Sequence, residues 1–255
     1  MDADSHMPLP PMDPPLRRSL SRRWGEGWIG RLTSPWALAL ALIAVIVIAG
    51  GPLQSFDLFM AKMWLYRFNP DLVWYAQNIF DRLASNIVCL PVLAAVAIVL
   101  ARRRRSWRPI LFAVLTEVAF LLGVGGMKVL LARGVTYERD PRFFEGGFFE
   151  MGEKGISFPS GHAAESVLIY GGAVYLVSRY SKASPRLVRG LCWGVAVITA
   201  NSVAMSFLLG WHWVSDLIGG VIAGGLFLRL LIDWDTRSHH PREPIKGAEG
   251  AGTIL

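Results

Sequence analysis

Residues Ile110–Leu131 read ILFAVLTEVAFLLGVGGMKVLL, an almost unbroken apolar run in which Glu117 and Lys128 are the only charged side chains. A helix needs about 20 mainly apolar residues to cross a hydrocarbon core of about 30 Å, and this run is long enough without borrowing from its flanks. Five further stretches come close: Trp36–Gly51, Ala84–Leu100 (which contains Pro91) and Ala163–Arg179, which reach the length only by borrowing flanking residues, and Leu187–Leu209 and Val214–Trp234. The expectation is an all-α, polytopic membrane helix bundle with six transmembrane helices. Composition agrees. Of 255 residues 53% are apolar and 18% charged, with a mean hydropathy of +0.40, whereas soluble domains carry about 25% charge. Two cysteines, Cys89 and Cys192, are too few for a disulfide framework or a four-cysteine zinc site.

The net charge of +7 suggests nucleic acid until the basic residues are placed. Most fall in the N-terminal arm (Arg17, Arg18, Arg22, Arg23, Arg31), the loop after the second stretch (Arg102 to Arg105, Arg108), the loop after the fourth (Arg179, Lys182, Arg186, Arg189) and the tail (Arg229, Arg237, Arg242, Lys246). With six spans these segments share one side, and Lys/Arg-rich segments face the cytoplasm. The charge therefore reads as a topology signal: N- and C-termini cytoplasmic, a multi-pass protein of the cytoplasmic membrane, and no nucleic-acid partner. The chain divides into a flexible basic arm (1–30), a six-helix membrane domain (31–237) and a flexible tail (238–255). No secretory signal peptide is visible, and the first apolar run reads as a signal anchor. The ring-rich segment Phe56–Phe80 is expected in the outer membrane interface.

On this topology four polar clusters from separate parts of the chain meet at the non-cytoplasmic face: Lys128 and Arg133, Pro159-Ser160-Gly161-His162, and the turn Gly210-Trp211-His212-Trp213 running into Ser215-Asp216. Ionisable groups at membrane depth are costly and mark functional sites. His212 and Asp216 are four apart, one helical turn, so the carboxylate can fix the imidazole tautomer and free the other nitrogen as nucleophile or base. Ser160 is a good N-cap, and Gly161 lets a ligand approach free N–H groups at the positive end of a helix dipole, an anion site. His162, in the first turn, can protonate a group bound there. A positively lined pocket with two imidazoles and one carboxylate points to phosphoryl transfer through phospho-histidine. Trp211 and Trp213 are expected as interface anchors, with walling the pocket as the alternative for either, and the pairs Gly171-Gly172, Gly219-Gly220 and Gly224-Gly225 as close-packing sites.

Pro159-Ser160-Gly161-His162 and His212-Trp213-Val214-Ser215-Asp216 resemble the second and third signatures (PSGH, and HxxxD within SRxxxxxHxxxD) of the type 2 phosphatidic acid phosphatase and vanadium haloperoxidase superfamily, in its membrane lipid-phosphate phosphatase branch. The resemblance runs from about Lys128, the first signature, to Gly220. It implies that His212 attacks phosphorus, Asp216 orients it, His162 protonates the leaving oxygen, and Ser160, the Gly161 amide and Lys128 hold phosphate oxygens, with neither a metal ion nor a cofactor. Two positions depart from the pattern. Val135-Thr136 stands where Arg-Pro is expected, and Ser206 where an Arg is expected. Each missing Arg would grip phosphate oxygens bidentately. Arg133 is the expected replacement by proximity, ahead of Arg139 and Arg142. The expected partners are the membrane and a lipid phosphate whose identity stays open, as does the oligomeric state. The alternatives carried are a lipid-linked phosphotransferase using the same phospho-histidine and a non-catalytic lipid-binding protein on this scaffold.

Overall fold

The computed structural model describes residues 28–238. Most of the expected arm and tail lie outside these residues; at the inner edge of the arm, Trp28–Leu32 is a short helix. Every described element is helical. The long helices are α1 (Pro35–Ala49), α2 (Asn86–Arg104), α3 (residues 108–131), α4 (Gly161–Tyr180), α5 (Pro185–Leu208) and α6 (Val214–Arg237). They coincide with the six apolar stretches. α3 is α-helical over Arg108–Val118 and Gly125–Leu131, with a π-helical segment, Ala119–Val124, between. Serine–proline pairs start α1 and α5: the hydroxyls of Ser34 and Ser184 accept from the amides of Ala37 and Leu187, and Pro35 and Pro185 take the first helical position, where no intrahelical N–H bond is lost.

Length and composition qualify four segments as membrane spans: Asp71–Arg104, Arg108–Glu138, Pro185–Leu208 and Val214–Arg237. A fifth arises if Pro35–Ala49 and the bent continuation Gln54–Phe68, turned by 79°, are counted together. α1 alone, at 15 residues, is about 22 Å long, short of the hydrocarbon thickness. α4 has 20 residues but is too polar in its first turns, at His162, Glu165 and Ser166, to qualify. Its place in the bundle accounts for that. α4 packs against α2, α5 and α6 at once, and α1 lies on the far side of α6. α4 therefore buries Ala163, Ala164, Glu165, Ser166, Leu168 and Ile169, whereas α5 buries only Ser202 and Ser206 and turns Trp193 and Val197 outward. An axial helix meets protein on most sides and can carry polar groups; a peripheral helix in lipid cannot.

The segment Gln54–Tyr75 folds as three short helices, Gln54–Met60, Trp64–Phe68 and Asp71–Tyr75, with Phe59, Phe68, Trp74 and Tyr75 exposed. From Asp71 it runs on into the α2 span instead of ending at Phe80.

The α4–α6 contact positions the site, and glycines make it close. A Cβ on Gly220 would sit 2.5 Å from the Ser160 carbonyl oxygen, and one on Gly224 would sit 2.6 Å from that of Ala164. These are backbone atoms, so the clash cannot be relieved by a rotamer change. Gly220→Ala is expected to cost about 1–3 kcal/mol, as overpacked cores do, and to push Ser160 away from α6. A thermal melt in detergent and an activity assay check this; a variant with unchanged melting and rate would show that the two helices have slack.

Candidate active site

His212 lies in the turn between α5 and α6, and Asp216 in the first turn of α6. His212 Nδ1 is 3.4 Å from Asp216 Oδ2 and 3.2 Å from the Ser157 hydroxyl, which donates a 2.5 Å bond to the same carboxylate oxygen. The Trp213 amide adds a third donor at 3.2 Å. With Nδ1 engaged by this group, Nε2 is the ring nitrogen left for chemistry. His212 lines a cavity of about 670 Å³ together with Lys128, Ser157, Lys154, Tyr137 and Trp211. Burial, the main cause, holds the His212 imidazole below its ordinary value of 6.5, and the nearby charges of Lys128 and His162 push the same way.

Lys128 Nζ donates to the carbonyls of Ile156 at 2.9 Å and Ser157 at 3.4 Å, fastening α3 to the strand of chain that leads into α4. Its Cε lies 3.8 Å from where a Gly161 Cβ would be, so the lysine reaches the start of α4. There the Ser160 amide donates to the Asp216 carbonyl at 3.0 Å, joining the two signatures directly. The Ser160 hydroxyl is buried and has no hydrogen-bond partner among the described residues, and such an orphaned group calls for a ligand or water. His162 Nε2 pairs with Asp81 Oδ2 at 3.3 Å. Lys128, Ser160, Gly161, His162, His212 and Asp216 are thus gathered at one end of the bundle.

Arg133 is placed differently from the expectation. It is fully buried, with Nη1 2.6 Å from Asp216 and 2.7 Å from Ser215, Nη2 2.8 Å from Asp57, and Nε donating to the Pro141 carbonyl at 2.8 Å. Every nitrogen of the guanidinium is used by the protein, between the rings of Phe143 and Trp213, and the residue does not line the cavity. The cause is local. α3 ends at Leu131, Ala132 turns left-handed (φ 42), and the chain carries Arg133 inward behind Asp216. Arg142 is occupied as well, 2.6 Å from Asp140 and 3.3 Å from Glu145. Trp213 is wholly buried, donating to the Gly134 carbonyl, and is a core residue and not an interface anchor. Trp211 walls the cavity. Ser157, Asp57, Asp81 and Lys154 were not singled out by motif; the one sequence signal was Asp57, a carboxylate among Phe56, Leu58 and Phe59.

This is a membrane helix bundle with a histidine–carboxylate pair opening onto a cavity lined by two lysines, Lys128 and Lys154, and one carboxylate, Glu153. Residues 34–239 match the PAP2 superfamily, and the chain belongs to that family. Its fold is similar to the crystal structure of a transmembrane PAP2 type phosphatidylglycerolphosphate phosphatase from Bacillus subtilis, at 20% sequence identity and a TM-score of 0.65, over 80% of this chain and 96% of that one. At that identity the likeness is one of fold. No curated protein matches the chain.

Proposed function

We propose that the chain is an integral-membrane lipid-phosphate phosphatase acting through a phospho-histidine on a lipid phosphomonoester or pyrophosphate. In this reading six helices cross the cytoplasmic membrane, both termini are cytoplasmic, and the cavity opens at headgroup level on the other side, as the distribution of basic residues favours. The observation that carries the reading is His212, its Nδ1 backed by Ser157 and Asp216, facing a cavity that also holds Lys128.

His212 Nε2 attacks phosphorus, an N–P bond forms, and the bond to the lipid oxygen breaks. His162 gives its proton to that oxygen and the lipid alcohol leaves. Asp216 stabilises the positive imidazole ring that results. Water then attacks phosphorus with His162 taking its proton, the N–P bond breaks, and phosphate departs. Lys128, the unpartnered Ser160 hydroxyl and the Gly161 amide offset charge on the non-reacting oxygens, which is most of what such transfers need. Lys154, on the cavity wall, supplies positive charge in place of an absent signature arginine. Arg133 acts one step back, holding Asp216.

Phosphate release from long-chain alkyl phosphates by the purified protein in detergent tests this. Attack needs neutral His212, and its pKa lies below 6.5. Activity is therefore retained at pH 7 and lost on acidification, with the acid limb of kcat/KM below pH 6.5. Absence of release from every lipid phosphate, or an acid limb above that value, would contradict the reading.

A further inference from the structure

Asp81 is a buried carboxylate whose one ionic partner among the described residues is His162, with Nε2 3.3 Å from Oδ2. Its other oxygen, Oδ1, is buried with no hydrogen-bond partner among the described residues. The remaining buried aspartates are built differently. Asp57 accepts from Arg133 and Ser215, Asp216 from Arg133 and Ser157, and Asp235 from Tyr175 and Tyr180. A carboxylate taken out of water is costly unless opposite charge and hydrogen bonds offset it. A residue that only braced the fold would fill both oxygens, as those three do. Asp81 is spent on His162 alone.

The turn that carries Asp81 is pinned from two sides. The chain passes from a π-helical segment, Ala76–Phe80, into a 3-10 turn, Asp81–Ala84, before α2 begins. Asn201 of α5 donates to the Phe80 carbonyl at 2.7 Å, and the Tyr170 hydroxyl of α4 donates to the Leu83 carbonyl at 2.6 Å. The helix that carries His162 therefore also fastens the turn that presents Asp81 to it. Glu165 is nearer along the chain, in the next turn of α4, yet it does not come within 4.0 Å of a ring nitrogen of His162. With Nε2 beside Asp81 and no other polar contact to the ring among the described residues, Nδ1 is the nitrogen left to give a proton.

We propose that Asp81 is a positioning residue for the proton donor, holding His162 through Nε2 so that Nδ1 serves the leaving oxygen. This rests on the phosphatase reading above. His162 gives the proton on Nδ1 to the lipid oxygen as the bond from that oxygen to phosphorus breaks, and it keeps the proton on Nε2 beside Asp81. It recovers a proton at Nδ1 from the water that splits the phospho-histidine. Asp81 itself exchanges none. Each imidazole then has a carboxylate behind it, Asp216 for the nucleophile and Asp81 for the acid. In such a pair the carboxylate fixes the tautomer and offsets the charge of the protonated ring.

The test uses the purified full chain in detergent and two substrates that differ in their need for an acid. One is a long-chain alkyl phosphate, whose alkoxide cannot leave without a proton; the other is a nitrophenyl phosphate bearing the same alkyl chain, whose phenolate can. The quantity compared is kcat/KM, which covers the steps up to departure of the leaving group. Asp81→Asn keeps the shape of the side chain and removes a buried charge. It is expected to lose about 10- to 100-fold on the alkyl phosphate, the scale of a lost orienting partner, with the nitrophenyl rate unchanged. Asp81→Glu should recover most of the alkyl rate, because glutamate serves behind a catalytic histidine as aspartate does. Both rates come from one preparation, so their ratio does not depend on the fraction folded. Equal losses on both substrates, no loss on either, or a glutamate variant as slow as the asparagine one overturns the role of Asp81, and continued hydrolysis would leave the phosphatase reading standing. A wild-type protein that hydrolyses neither substrate ends both.

Discussion

His212→Ala is expected to lower kcat/KM for a lipid phosphate by at least about 10,000-fold, the scale seen when a nucleophile is removed from an otherwise intact site. The cavity would keep Lys128 and Lys154, and would still attract a phosphate, but no imidazole nitrogen of His212 would remain to form the bond to phosphorus. The fold should tolerate the change. His212 lies outside the helices, is 14% exposed, and makes its polar contacts through Nδ1 alone. Phosphate release and thermal unfolding in detergent, measured on the same preparation, separate the two effects. An alanine variant within about tenfold of wild type would remove His212 from the chemistry. This variant also discriminates between an enzyme and a lipid-binding protein built on the same bundle, because binding should survive where turnover does not.

The largest loss of stability is expected at Arg133. Asp57 and Asp216 are both wholly buried, and the guanidinium between them is the cation that each contacts. Arg133→Met leaves two uncompensated carboxylates in the interior, and breaking a buried ion pair from one side costs about 3–5 kcal/mol. Arg133→Lys should recover little, since one ammonium cannot reproduce a fork whose three nitrogens serve Asp57, Asp216, Ser215 and Pro141. Adding Asp57→Asn to Arg133→Met removes one of the stranded charges. The double variant should therefore be more stable than Arg133→Met alone, with a coupling of about 0.5–3 kcal/mol. Chemical denaturation in detergent micelles measures the cycle; strict additivity would mean that the network is not a unit. Because Asp216 is also the carboxylate behind His212, the activity of Arg133→Met should fall further than its folded fraction accounts for.

The helices were legible because membrane spanning is a demand on composition and length, both of which are local. α3, α5 and α6 fall within a few residues of their apolar stretches. α4 was legible as a helix, but its axial position was not, since its polar first turns read alike whether they face lipid, water or protein. The structure gathers the signature residues at one end of the bundle, as their spacing favours: four residues place His212 and Asp216 on one side of a turn, and the helix start puts Gly161 at its positive end, with Ser160 at the N-cap position making no side-chain capping bond. Arg133 was located correctly in the sequence and assigned the wrong partner. Its distance along the chain from Lys128 was taken as nearness to the phosphate, whereas the helix end and the left-handed Ala132 direct it behind Asp216. Asp57 contacts Ser215 across 158 positions of sequence, and Ser157 contacts Asp216 across 59. No local pattern reports such pairs; they exist only once α1, its bent continuation and α6 have packed.

The central claim is that phosphorus is transferred to His212 before it reaches water. The stereochemical course at phosphorus tests it most directly, using a long-chain alkyl phosphorothioate made chiral by oxygen isotopes and hydrolysed in isotopically labelled water. Each in-line displacement inverts the centre, so passage through a phospho-histidine gives two inversions and net retention. Retention is the predicted result, and inversion, the signature of direct attack by water, would contradict it.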